Sequence, residues 1–256
     1  MQLLSRNVVH VVCGIVLALG AALPAQAAQT NVAVAANFTD AANEIAQAFK
    51  VKTGHEAILS FGSTGQFYTQ ITQDAPFEVF LAADNERPAK AIEEGFAVPG
   101  SQFTYAIGKL VLWSKDPDLV QGEATLKSGD FTKISIANPE AAPYGAAAVQ
   151  AMKGLGVYDQ LAPKIVQGNN ISQAFQFVQT GNAELGFVAL AQVIDDKEGS
   201  RWEVTDDLYD PIKQDAVLLK KGADNEAAKA FLEFLQSPEA EAIIARFGYG
   251  LAASTR

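Results

Sequence analysis

Short apolar runs alternate with amphipathic stretches along most of the chain. Residues 31–36 (NVAVAA) form a valine-rich run that predicts a buried strand. Ala41, Ala42, Ile45, Ala46 and Phe49 then recur at helical spacing up to a stop at Gly54. Residues 57–61 predict a second strand, broken by Gly62-Ser63-Thr64-Gly65, where a helix with Phe67 and Ile71 on its inner face begins. A third strand over 79–82 leads to a helix carrying Ala89, Ala91 and Ile92, with Asp84 as its cap and Gly95 as its stop. Strands and helices in this order predict an α/β protein with a parallel sheet flanked by helices.

The beat changes at residues 103–113 (FTYAIGKLVLW), one long extended stretch with Gly108 in its middle. It fits a crossover between two lobes, with Gly108 near the joint. Alternation then resumes: a strand over 134–137, a turn at Asn138-Pro139, and a helix over 144–153. A short strand over 164–167 precedes Gly168-Asn169-Asn170, which opens a helix through Phe175 and Val178, and 185–189 is a further strand. Residues 211–220 (PIKQDAVLLK) form a second extended stretch that fits a return crossover. At the C-terminal end Ser237-Pro238-Glu239 reads as a helix start with proline at its first position, and Gly248 as the stop.

Residues 1–27 differ from everything that follows. Arg6, an apolar stretch over 8–23 and Ala25-Gln26-Ala27 together read as a secretory signal peptide with its cleavage site. The small residues at that site favour this reading over a membrane anchor. Beyond residue 27 there is no cysteine and a single histidine, His55, so neither a disulfide nor a thiol nucleophile is available. Such a chain suits an oxidising compartment such as a bacterial periplasm. A composition of 49 % hydrophobic and 19 % charged residues excludes disorder. Removing Arg6 takes the net charge from −10 to 18 − 29 = −11, which argues against nucleic-acid and membrane-surface binding.

The catalytic inventory is nearly empty. No zinc-hydrolase spacing, nucleophile elbow, phosphate-binding loop or dinucleotide fingerprint occurs. The paired carboxylates Glu93-Glu94 and Asp195-Asp196 read as solvated turns or faces. Four segments share one physical feature instead: Asn37-Phe38-Thr39-Asp40, Ser63-Thr64-Gly65, Pro143-Tyr144-Gly145 and Asn170-Ile171-Ser172 each lead into the first turn of a predicted helix. A helix start leaves backbone N–H groups unpaired and carries partial positive charge, so several aimed at one cleft hold an anion without Arg or Lys. Taken alone, these residues read equally as caps of their own helices.

The order and spacing of longer fragments go further. VAVAANFTDA, LSFGSTGQFYTQI, APFEVFLAADNERPAKAIEEG, IANPEAAPYGAAAVQAMKGLG, GNNISQAFQFVQTGNAELGFV and FLEFLQSPEAEAIIARFGYG make the chain resemble the periplasmic molybdate-binding proteins of ABC importers. The resemblance implies a two-lobed periplasmic-binding-protein-like α/β fold. Each lobe is then a mostly parallel sheet flanked by helices, joined to the other by two extended crossovers. Lobe 1 is expected over 28–110 and 212–256, and lobe 2 over 111–211. It implies further that Asn37 and Thr64 contact a tetrahedral oxyanion from the first lobe, and Tyr144 and the Ile171 N–H from the second. Ala36 and Ser63 adjoin them. Many relatives place a tyrosine just after the strand matching 185–189, whereas this chain has Ala189, so the Tyr144 phenol is expected to supply that donor. The function implied is capture of molybdate or tungstate for a membrane permease and its ATPase by a monomer in the periplasm, with no enzymatic activity, cofactor or bare metal cation. The alternatives are the same trap for sulfate and, from another class, a secreted enzyme on the same scaffold.

Overall fold

The computed structural model describes residues 27–252, so the signal-peptide reading of 1–27 falls, except for Ala27, outside the described residues. The first lobe begins with β1 (Gln29–Ala35), α1 (Thr39–Thr53), β2 (Glu56–Gly62), α2 (Thr64–Thr72), β3 (Val79–Leu81), α3 (Glu86–Glu93) and β4 (Phe103–Gly108). The chain then enters a second sheet through β5 (Leu110–Ser114), α4 (Glu123–Ser128), β6 (Ile134–Ala137), α5 (Pro143–Gly154) and α6 (Tyr158–Leu161). β7 (Ile165–Gly168), α7 (Ile171–Gln179), β8 (Leu185–Ala189), α8 (Leu190–Val193) and β9 (Ser200–Glu203) complete that half. β10 (Ile212–Leu218) returns to the first sheet, followed by α9 (Glu226–Leu235) and α10 (Pro238–Arg246).

The two sheets share one design, β2-β1-β3-β10-β4 and β7-β6-β8-β5-β9. In each, a single strand runs against the other four: β10 in the first sheet and β5 in the second. Both are strands that have just crossed between lobes. β1, β3, β6 and β8 point their carboxyl ends at the space between the lobes. A strand entering from that space therefore runs the opposite way. The stretch over 103–113 is accordingly not one strand. It divides at Lys109 into β4 and β5, which lie in different sheets.

Each sheet is buried by its own helices. In the first lobe Val32 and Val34 of β1 pack against Ala42, Ile45 and Phe49 of α1 and Phe231 of α9, all without solvent exposure. On the opposite face of β1, Ala33 packs with Phe67 and Ile71 of α2 and Ala91 of α3. Caps fall where short polar side chains precede the apolar stripes. Asn170 accepts from the Gln173 N–H at 2.9 Å, Ser237 from that of Ala240 at 3.3 Å, and Asp84 from that of Arg87 at 3.0 Å. Gly54, Gly95 and Gly248 adopt φ of 76°, 82° and 81° and end their segments as glycine permits. The short helices α4, α6 and α8 and the edge strand β9 carry too little periodic pattern for the sequence to reveal them.

One carboxylate ties the second sheet together. Glu184, just before β8, accepts from the N–H groups of Thr132 at 2.9 Å and Lys133 at 2.7 Å, just before β6. Its slight burial raises the carboxyl, but these two bonds prevail and hold it below the usual glutamate value. A lowered carboxyl stabilises the fold above its unfolded value and loses that contribution as pH falls through the folded one. Glu184→Gln is therefore expected to lower stability in urea titrations near pH 7, and the difference from the parent is expected to shrink as pH falls below the ordinary carboxylate range toward the lowered folded value.

Candidate functional site

Four helix starts meet between the lobes. Ala36 and Asn37 lie in a 3-10 turn (Ala36–Phe38) after β1, Ser63 and Thr64 at the start of α2, Tyr144 in the first turn of α5, and Ile171 at the start of α7. All six line a single cavity of about 10 Å³. Among the described residues no Lys, Arg, Asp or Glu lines it. A far larger hollow of about 460 Å³ has a charged rim that includes Lys115, Asp116 and Asp130, but it lies at the end of α7 and receives no helix start.

The donors follow from local structure. Thr64 and Ile171 are each the first residue of a helix, so their N–H groups have no intrahelical acceptor. Among the described residues no other acceptor meets them. The hydroxyls are directed by what they receive. Ser63 Oγ accepts from the Gln66 N–H at 3.4 Å, Thr64 Oγ1 from the Ala83 N–H at 2.9 Å, and the Tyr144 hydroxyl from Gln214 Nε2 at 3.2 Å. Each has accepted from the protein, and none donates to another described residue, so each keeps its own proton for the cavity. Burial, reinforced by the nearby phenols of Tyr249 and Tyr105, pushes the Tyr144 hydroxyl well above the usual tyrosine value, so that proton stays on.

Asn37 differs from the other five. Its side-chain Nδ2 donates to Gln214 Oε1 at 2.8 Å and to the Tyr249 hydroxyl at 3.2 Å, and both amide protons are thereby used. What remains for a ligand is the Asn37 backbone N–H at the start of its turn. Neither partner was among the sequence candidates, because they lie 177 and 212 residues away. One signal for Gln214 did exist: in IKQDAVL it shares a strand face with Ile212 and Ala216, and a polar residue there stands out. Ala189 is fully buried and caps no helix with its side chain. Gln192 accepts from its N–H at 3.0 Å, and Ala189 does not reach the cavity.

Backbone packing holds Tyr144 in place. A Cβ on Gly145 would overlap the Ala137 carbonyl oxygen, so only glycine lets α5 begin directly over the end of β6. Contacts across the cleft close the two lobes on each other. The Gly65 N–H donates to the Ala141 carbonyl at 2.9 Å, Arg87 Nη2 to that of Glu140 at 2.8 Å, and Ser172 Oγ to that of Ala36 at 3.2 Å. Ala35, Ala36 and Ala83 of the first lobe belong to the same apolar cluster as Ala142, Tyr144 and Ile171 of the second.

Two lobes that meet around a small pocket of hydrogen-bond donors define a class, the two-lobed solute-binding proteins. The chain belongs to the bacterial extracellular solute-binding protein family, whose profile matches residues 30–250. It is 59 % identical over 233 residues to the molybdate-binding protein ModA of Rhodobacter capsulatus, covering 91 % of this chain and 92 % of that one. It is 56 % identical over 244 residues to the molybdate-binding protein ModA of Azotobacter vinelandii, covering 93 % and 97 %. A solved periplasmic molybdate-binding protein from Azotobacter vinelandii superposes with a TM-score of 0.85 at 42 % identity, over 88 % of this chain and all of that one.

Arg87 tests the closed arrangement without any ligand. It ion-pairs with Asp84 in its own lobe and reaches the Glu140 carbonyl in the other. A bond from a charged donor is worth about 1.5–3 kcal/mol, so Arg87→Ala is expected to shift the open–closed balance about ten- to a hundredfold toward open. Small-angle scattering would then give a larger radius of gyration than the parent. An unchanged radius would mean that the remaining bonds suffice.

Proposed function

We propose that the protein captures molybdate, and tungstate equally by charge and shape, between its lobes and delivers it to an ABC importer. The reading is supported by relatives at 56–59 % identity that are named molybdate-binding proteins. The observation that carries it is the state of the hydroxyl protons: Ser63, Thr64 and Tyr144 each accept a bond from the protein and none donates to another described residue, so all three protons are available to a guest. Such a cavity suits a tetrahedral dianion that carries no proton. Hydrogen phosphate brings a proton that needs an acceptor, and leaving it buried and unpaired is costly. Sulfate is also free of protons, so this argument does not separate it from molybdate. The names of the relatives favour molybdate over that alternative.

In this reading the oxyanion takes hydrogen bonds from Thr64 Oγ1, Ser63 Oγ and the Tyr144 hydroxyl. It takes others from the N–H groups of Ile171, Asn37 and Ala36. Tyr144, from the opposite lobe wall, supplies the donor that Ala189 lacks. Lobe 1 comprises residues 28–110 and 212–256 and lobe 2 residues 111–211, hinged where the chain crosses near Lys109 and before Ile212. The protein works as a monomer in the periplasm, exported by the signal over residues 1–27, and docks on a permease driven by an ATPase. A net charge of 18 − 29 = −11 without the signal does not oppose anion capture, because surface charge is screened beyond about 8 Å at physiological salt while the helix starts act at contact.

Removal of one donor gives the first test. Thr64→Ala is expected to weaken molybdate binding by about 1.5–3 kcal/mol, ten- to a hundredfold in a calorimetric titration, and Thr64→Ser to restore most of it. An unchanged affinity removes Thr64 from the site. The second test is selectivity. A ligand that binds only the native form stabilises by RT ln(1 + [L]/Kd), about 2.7 kcal/mol at a hundred times Kd. Molybdate and tungstate are expected to raise the melting temperature at concentrations where sulfate and phosphate do not. Equal shifts with sulfate would favour the sulfate reading.

A further inference from the structure

Behind the cavity lies a chain of buried polar groups that points in one direction. The Tyr249 hydroxyl donates to the Asn37 carbonyl at 2.6 Å. A phenol has one proton, so its oxygen can only accept from the Asn37 side chain, and this turns Asn37 Nδ2 toward it. The same Nδ2 donates to Gln214 Oε1, which also accepts from the Tyr105 hydroxyl at 3.2 Å. The single Tyr105 proton is shared with the Ala82 carbonyl at 3.1 Å, so it is chiefly Asn37 Nδ2 that fixes the Gln214 amide, and its Nε2 is left to donate to the Tyr144 oxygen. The Tyr144 proton, with no acceptor among the described residues, is turned to the cavity.

Gln214 is fully buried on β10, the returning crossover strand, at a shift of register against β4. Its register neighbour β4 ends in Gly108, where a Cβ would overlap the Tyr144 hydroxyl and come within 2.7 Å of Gln214 Nε2. Glycine there leaves room for this contact. Were the Gln214 amide reversed, its oxygen would take the Tyr144 proton and the phenol would turn a lone pair on the guest. We propose that Gln214, held by Asn37 and Tyr249, is a positioning residue that commits Tyr144 to donate and so sets the preference of the site for oxyanions without a proton. This rests on the oxyanion reading of the cavity given above.

A double-mutant cycle tests it, with molybdate and phosphate as probes in calorimetry. Gln214→Met keeps the length of the side chain and removes both polar ends. It is expected to weaken molybdate about tenfold, the lower range for a hydrogen bond to a charged group. In the Tyr144→Phe background the same change is expected to cost less than about twofold, because residues that act through one another are not additive. A Tyr144 hydroxyl free to turn can accept from hydrogen phosphate, so Gln214→Met is also expected to narrow the molybdate-to-phosphate ratio about tenfold, in line with that cost. A merely structural lesion would weaken both anions alike, and that result, or full additivity in the cycle, overturns the proposal. If Gln214→Met does not fold, the Gln214 side-chain amide resonance in the unaltered protein decides: saturation with molybdate is expected to shift it, and an unshifted resonance overturns the proposal. If the unaltered protein binds no molybdate, the oxyanion reading itself fails. If it binds molybdate and the cycle is additive, only the assignment to Gln214 fails.

Discussion

A donor proton shut away from water without an acceptor costs roughly 1–3 kcal/mol, and the cavity between the lobes gathers several of them. The Thr64 and Ile171 N–H groups and three hydroxyls face a space that no charged side chain among the described residues lines. This shortage of acceptors is the constraint from which the rest follows. It leaves the space between the lobes rich in unclaimed donor protons. It also moves recognition from net charge to the placement of dipoles, which an acidic protein tolerates. Because the N–H groups belong to helix starts, the rigid lobes themselves aim them, and no long flexible side chain has to be ordered.

The topology explains how two halves built separately in sequence come to share one cavity. Each lobe points the carboxyl ends of its parallel strands at the other, as open α/β sheets do where ligands bind. The crossing strands β5 and β10 enter their sheets from that same gap and are reversed for that reason. β10 thereby runs past the back of the cavity, and Gln214 on it touches Asn37 from the first lobe and Tyr144 from the second. The strand that carries the chain home is also the one that couples the two walls.

Much of this was legible in the residue pattern. The runs at 134–137 and 185–189 are strands with those same bounds, and the four polar segments at helix starts do converge. Asn170 and Ser63 cap their helices as short polar side chains do, while Asn37 does not cap at all. The extended stretch over 103–113 does pass between the two sheets, with its joint beside Gly108, because a run too long for one core strand with a glycine in its middle suits a crossover. β9 and the shortest helices carry too few residues for any period to show.

Periodicity, turn residues and helix starts are properties of neighbours along the chain, and on these the amino-acid sequence was decisive by itself. It determined where the elements lie and which of their ends offer unpaired N–H groups. Only the tertiary structure decided which donors remain free, since that depends on partners far away in sequence. Asn37 has its amide protons taken by residues 177 and 212 positions further on, and Tyr144 keeps its own because Gln214, 70 positions away, presents to it a donor and not an acceptor. A hydrogen bond is directional, and its direction is set by every group it touches once the chain has folded.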